Sequence, residues 1–177
     1  MRTIYDEIAR IGFVNLVHGN MEFGPRALCN TSTLALPDKQ VTRLINKAND
    51  RTNEMPMAPV VTRALADDLF HDIGKVHRSL EYMIVTRKYK CGADEGMGGA
   101  SHRYPDGVAT GRPQITDDPA LCTILNWFGG VLVNTSFNYH GVPIVFERDS
   151  IEASHRQQRS RCPELDIKTV VVTGDLI

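Results

Sequence analysis

Arginine grips phosphate and carboxylate well, because its planar fork offers parallel N–H donors and stays charged at any ordinary pH. The sequence places Arg26 directly after Gly24-Pro25, inside the stretch MEFGPRALCNTS (Met21–Ser32). Glycine relaxes the backbone and proline fixes φ, so this turn projects the arginine from a defined point. Glu22 lies just upstream, and a structural Glu22–Arg26 ion pair is the competing reading. A second polar patch, VNTSFNYHGVP (Val133–Pro143), follows an apolar run. Strand ends in α/β sheets offer free backbone groups and room for a ligand. Asn134, Thr135, Ser136 and Asn138 could there bond an oxyanion or an adenosine edge, with Phe137 as a packing wedge. Alternatively they form an Asx/Ser turn that satisfies its own backbone. In a third stretch, SHRYPDGVATGRPQ, His102, Asp106 and Arg112 could meet in one site. A solvent-facing histidine and a turn-forming Asp-Gly are the alternatives.

Other motifs point away from some chemistries. Gly92, Gly96, Gly98 and Gly99 form neither G-x-G-x-x-G nor a P-loop, so their segment reads as a flexible loop. His71 and His77 are six residues apart, a spacing that suits no helical metal face, and HRQQRSR (155–161) reads as a solvated helix face. The four cysteines, Cys29, Cys91, Cys122 and Cys162, are scattered, without C-x-x-C or metal-ligand spacing. Reduced thiols in the cytoplasm are the expectation, with no metal held by the protein. A net charge of −1 gives no basic field for nucleic acid. No apolar stretch approaches a membrane span, and the charged start MRTIYDEIARIGF is unlike a secretory signal.

The elements that must position these residues alternate between helical and extended periods. At 177 residues, with 42 % apolar and 23 % charged side chains, the chain suits one domain over 1–177 with a real core. Ile4, Ile8 and Ile11 share one face of an N-terminal helix that Gly12 stops, and FVNLVHG follows as a strand. PDKQVTRLINKAN and TRALADDLFHDIG read as helices, the second running to Gly74, and LEYMIVTRKY reads as β-rich. A long loop with one or two short strands or hairpins should span KCGADEGMGGASHRYPDGVATGRPQ. DDPALCTILNWFGG is a helix capped by Asp117 or Asp118, and VLVNTSFN a buried strand. RDSIEASHRQQR is a helix capped near Asp149, and IKTVVVTGDLI a last strand. The expected fold is α/β, a mixed twisted sheet with flanking helices.

Taken together, four motifs in order resemble a known family. GNMEFGPRALCNTSTLALP resembles E-F-G-P-R-A-L-G-N-R-S-I-L-A-x-P, and LINKANDRTNEMPMAPVV resembles I-N-x-x-x-K-x-R-x-x-x-x-P-F-A-P. SHRYPDG and GRPQ resemble H-x-D-G-T-x-R-x-Q, and LVNTSFNYHGVPIV resembles L-N-T-S-F-N-x-x-G-E-P-I-V. The family is the O-carbamoyltransferases of nodulation and antibiotic tailoring, and the match is to their C-terminal, YrdC-like domain, from about Thr3 to the end. The resemblance implies that ATP and carbamoyl phosphate form carbamoyladenylate, with Mg²⁺ carried by the ATP phosphates. A partner actin/sugar-kinase-like N-terminal domain or subunit then moves the carbamoyl group to a hydroxyl. It further implies that Arg26, Arg51 and Arg112 neutralise phosphoryl and carbamate oxygens and that His102 bonds the carbamoyl or a phosphate oxygen. Ser136 and Asn138 would hold the nucleotide, with Asn30 and Asn134 shaping the site.

The chain departs from that pattern at several positions. Cys29 replaces glycine, Thr31 an arginine, Met57 an aromatic and Val142 a glutamate; Asn49 falls where a lysine belongs, with Lys47 as the substitute if the alignment gap lies elsewhere. Two lost positive charges would weaken an anion site, each charge-assisted contact being worth about 1.5–3 kcal/mol. On that ground a catalytically impaired nucleotide-binding or interaction module is the alternative, with an RNA-binding domain a further one that the near-zero net charge disfavours.

Overall fold

The computed structural model describes residues 2–52 and 55–172, with the side chain of His77 outside the description. Helix α1 (Arg2–Ile11) buries Ile4 and Ile8 completely, as their spacing requires. Gly12 ends it at φ +89°, donating to the Ile8 carbonyl; a Cβ there would lie 2.6 Å from a Val41 methyl, so glycine serves both the turn and the close packing. The chain continues through β1 (Phe13–His18), β2 (Thr31–Ala35), α2 (Lys39–Ala48), β3 (Ala58–Thr62) and α3 (Arg63–Leu69). Then come α4 (His77–Glu81), β4 (Arg87–Lys88), β5 (His102–Arg103), β6 (Ala109–Gly111) and β7 (Gln114–Thr116). Helix α5 (Pro119–Trp127), β8 (Val131–Ser136), α6 (Arg148–Arg161) and β9 (Thr169–Val172) complete it. The expected continuation of the last strand over 173–177, and positions 53 and 54 of the second motif, lie outside the described residues.

The main sheet is mixed and six-stranded, in the order β7-β3-β8-β2-β1-β9, with β1–β9 and β3–β7 parallel and the other pairs antiparallel. Alternation along the strands divides the core. Val14, Leu16, Leu34, Val60 and Leu132 face α1 and α5, whereas Phe13, Ala35, Val61 and Val133 face α2, α3 and a small sheet of β4, β6 and β5. The mixed α/β architecture expected from the alternating periods is therefore present. No helix of the described residues is long and apolar enough to cross a membrane.

Several elements differ from the sequence expectation. The helix expected to reach Gly74 stops at Leu69, because Phe70 turns extended to bridge Tyr89, its ring centroid 4.4 Å away. LEYMIVTRKY is not β-rich: Leu80, fully buried, anchors α4, Met83 is left-handed at φ +53°, and only Arg87–Lys88 pair as a strand. Helix α6 begins at Arg148, and its cap is Glu147, two residues before the expected Asp149, since the Ser150 hydroxyl accepts the Phe146 and Glu147 N–H groups. Strands β2 and β3 have no announcing pattern. The first is polar yet wholly buried, and the second contains Pro59, which ordinarily argues against an interior strand. Pro59 is accommodated because β7 begins pairing only at Val60.

A chain of buried amides ties the sheet to two helices. Thr33 Oγ1 donates to Asn15 Oδ1 (2.7 Å), Asn15 Nδ2 to Gln158 Oε1 (2.6 Å), and Gln158 Nε2 to Asn49 Oδ1 (2.7 Å). On the same side His155 Nδ1 meets Thr169 Oγ1 at 2.8 Å, and burial, followed by the nearby Arg159 and Lys168 cations, holds its imidazole below the ordinary histidine range. Below pH about 6.5 the unfolded chain therefore takes up a proton that the folded chain resists. Stability should fall as pH drops through that value toward the lower folded pKa. Urea midpoints measured against pH check this, and His155→Gln is expected to flatten that acid limb.

Candidate functional site

Arg51 is aimed by the end of α2. Asn49 caps the helix, Asp50 takes the left-handed conformation (φ +58°), and the Arg51 N–H returns to the Asn46 carbonyl at 2.8 Å. This is a Schellman turn, and it throws the arginine side chain toward the end of β8. There one terminal nitrogen donates to Thr135 Oγ1, and the other to Ser136 Oγ (2.8 Å) and Asn138 Oδ1. Ser136 Oγ donates in turn to Asn138 Oδ1 (2.7 Å), and Asn138 Nδ2 to the Val142 carbonyl (2.7 Å). Phe137 is fully buried against Val17 and Val145, the wedge that holds this turn in place. The polar patch is thus both a turn and a clamp. Its oxygens are neutral, so they fix the guanidinium without cancelling its charge.

Arg26 arrives from a loop built around Glu22. Glu22 Oε1 accepts the N–H groups of Leu28 (2.6 Å), Asn30 (2.8 Å) and Thr31 (3.3 Å), and Oε2 accepts the Thr31 hydroxyl (2.6 Å). The carboxylate is spent on the backbone, so the Glu22–Arg26 ion pair does not form. Arg112 comes from the link between β6 and β7. Burial, and then the neighbouring Arg26 cation, pull its guanidinium below the ordinary range, and burial does the same to Arg51. Among the described residues none of the three is ion-paired, and Arg112 Nε is buried without a partner. All three line one cavity of about 430 Å³, together with Asn134, Thr135 and Ser136.

Asn134 closes the inner wall. Its Nδ2 donates to the Ala27 carbonyl (2.6 Å) and to Gln114 Oε1 (2.7 Å), while its Oδ1 is buried with no donor. Gln114 also receives the Cys29 thiol at 3.6 Å. The spacing of residues did not single out Gln114; the final position of the R-x-Q motif was its only signal. His102 lies in an adjoining cavity of about 220 Å³ that shares Arg112 and Met55–Ala58 with the first. Asp106 does not join it. Its Oδ1 accepts the Val108 N–H at 3.0 Å, the turn role. Asn30 sits outside the anion cavity, on the far side of Arg26. The carboxylate that the described residues bring to the cavity wall is Asp50, held by Arg161 (2.6 Å) and the Tyr139 hydroxyl (3.0 Å). Among the described residues no three His, Cys, Asp or Glu side chains cluster as metal ligands.

Residues from all four motifs, Arg26, Arg51, Arg112 and Asn134–Ser136, thus line one cavity. Residues 6–173 match the family model described as carbamoyltransferase C-terminus. The chain belongs to that family. The 3'-hydroxymethylcephem-O-carbamoyltransferase of Amycolatopsis lactamdurans is 37 % identical over 137 residues, which cover 71 % of this chain and 24 % of that protein. Nodulation protein NolO of Bradyrhizobium diazoefficiens is 31 % identical over 150 residues, covering 79 % and 26 %. The chain thus spans about a quarter of the length of these relatives. A doubly substituted variant of P. abyssi Sua5 superposes with a TM-score of 0.58 at 11 % identity, covering 99 % of this chain and 49 % of that one. The fold is the YrdC-like one expected.

The departures from the carbamoyltransferase pattern now have places. Asn49 is fully buried in the amide chain to Gln158 and Thr31 is buried against Glu22; neither lines the anion cavity. In this chain those two side chains serve the scaffold, Asn49 through Gln158 and Thr31 through Glu22. Cys29 holds φ +79°, the left-handed region that glycine enters freely, and burial pushes its thiol pKa up.

Proposed function

We propose that this chain forms carbamoyladenylate from ATP and carbamoyl phosphate, for transfer to a hydroxyl acceptor by an actin/sugar-kinase-like partner domain or subunit. The observation that carries it is the convergence of Arg26, Arg51 and Arg112 on one cavity whose wall carboxylate, Asp50, is paired with Arg161 instead of with any of the three. Arg26 repels Arg112 there and burial disfavours the Arg51 cation, and a polyanion relieves both. Bringing two phosphorylated reactants together needs that positive field and fixed positions more than a nucleophile or base. In the balanced step one water is consumed and inorganic phosphate released from carbamoyl phosphate. A carbamate oxygen joins the α-phosphorus, and pyrophosphate leaves. Mg²⁺ would be carried by the ATP phosphates and would screen their charge; Asp50 on the wall is engaged by Arg161 and Tyr139. His102, in the adjoining cavity beyond Arg112, would bond the carbamoyl or a phosphate oxygen.

The unpartnered Asn134 Oδ1 supports a carbamoyl group in particular. Phosphate oxygens accept hydrogen bonds, whereas a carbamoyl group brings an N–H donor to a buried acceptor. Carbamoyl phosphate is expected to bind at least fivefold tighter than acetyl phosphate, from about 1–3 kcal/mol for satisfying that oxygen. Calorimetric titration with both ligands and with ATP tests the reading. Arg26→Ala should weaken all three, and absence of binding by wild type would overturn it.

A further inference from the structure

The inner wall of the anion cavity has two faces. Asn134, 2 % exposed, lines the ligand side with an Oδ1 that no donor reaches among the described residues. Cys29 and Gln114 line a separate cavity of about 320 Å³, to which neither Asn134 nor the three arginines contribute. Gln114 Oε1 joins the two faces, accepting from Asn134 Nδ2 at 2.7 Å and from the Cys29 thiol at 3.6 Å. The Ala27 carbonyl, an acceptor only, takes the same Asn134 nitrogen at 2.6 Å, so the amide oxygen is the atom left for a ligand. That arrangement holds while Gln114 presents its oxygen; turned over, its NH₂ would face a second NH₂. The thiol gives the oxygen another donor, and burial pushes the thiol pKa up, so the donated proton stays in place.

Cysteine is a costly residue at this position. It holds φ +79°, where glycine would be unstrained, yet its side chain is only 1 % exposed. The loop does not need that side chain for its shape. The Cys29 N–H donates to Ser32 Oγ (3.0 Å), and Glu22 Oε1 accepts the N–H groups of Leu28 and Asn30 on either side. What the side chain alone supplies is a donor to Gln114 and bulk between that amide and the second cavity. We propose that Cys29 is a positioning residue for the carbamoyl group, an inference that rests on the carbamoyl reading above. Acting through Gln114, it keeps Asn134 Oδ1 turned to the ligand and keeps water off the back of the amide pair.

The test titrates wild type, Cys29→Ala, Cys29→Gly and Cys29→Ser with carbamoyl phosphate, acetyl phosphate and pyrophosphate. The preference for carbamoyl over acetyl phosphate, about fivefold or more in wild type, should drop to about twofold or less in the alanine and glycine variants. Serine, a donor of similar size, should keep it. Pyrophosphate brings no N–H to Asn134 and should bind all four proteins alike, and thermal melting checks that each is folded. A second readout needs no ligand: hydrogen exchange of the Asn134 side-chain NH₂, followed by NMR, should quicken in the alanine and glycine variants and stay slow with serine. A preference that survives in the alanine and glycine variants overturns the role of Cys29 and leaves the carbamoyl reading standing. So does an equal loss for all three ligands, which marks a merely structural effect, and so do exchange rates that are the same in all four proteins. Wild type without a preference overturns the carbamoyl reading and the role of Cys29 with it.

Discussion

Replacing Arg51 with alanine is expected to weaken pyrophosphate and ATP binding a hundredfold or more while leaving the thermal midpoint within a few degrees of wild type. The effect is large because this guanidinium is pre-paid. Thr135, Ser136 and Asn138 hold it with oxygens that carry no charge, and burial has already pulled its pKa down. The cost of stripping water from the cation is met on folding, so an arriving phosphate collects most of its attraction. Two charge-assisted contacts at about 1.5–3 kcal/mol each give the hundredfold figure as a lower bound. Arg51→Lys should fail almost as badly, since one ammonium cannot reach three fixed acceptors and still face a ligand. Titration with pyrophosphate checks both variants. Retained affinity in the lysine variant would show that charge alone is at work and that the clamp on β8 has no part.

The same arginine shows what the sequence reveals and what it hides. Its neighbours in NTSFN are recognisable as a polar strand end, and the alternative of a self-satisfying turn is also correct: Asn138 closes onto Val142 while its oxygen serves Arg51. Local chemistry of that kind is legible because every partner lies within a few residues. The helix caps are legible too, as with Asp38 on α2 and Asp118 on α5, where one carboxylate meets the first free N–H groups. Long-range partners are not. Nothing near Asn49 announces Gln158, more than a hundred residues away, so its place in the buried amide chain is hidden. Likewise β3 is hidden by Pro59, whose fault is cancelled only by where its neighbour strand happens to begin. Glu22 and Arg26 are the sharpest case. Opposite charges close in sequence suggest a pair, yet backbone N–H groups compete for the carboxylate and win.

That competition makes Glu22 the residue whose loss should cost most. Glu22→Ala is expected to lower stability by about 3 kcal/mol, because three N–H donors and the Thr31 hydroxyl lose their acceptor and water reaches them only in part. For a chain of this size that is a fall of roughly 6–12 °C in the midpoint. Binding should fail together with stability, but for a separate reason: the freed loop no longer presents Arg26 from a fixed point, and the entropy of ordering it returns at the moment of binding. Glu22→Gln distinguishes the two effects. Its amide oxygen can still accept the N–H groups of Leu28 and Asn30, so the loop should keep its shape and the anion affinity should stay near wild type, with a smaller stability loss from the missing charge. Differential scanning calorimetry alongside pyrophosphate titration measures both quantities on each variant. If the glutamine variant kept its stability but lost binding, the carboxylate charge itself would belong to the site, and its role as the fastener of the Arg26 loop would have to be given up.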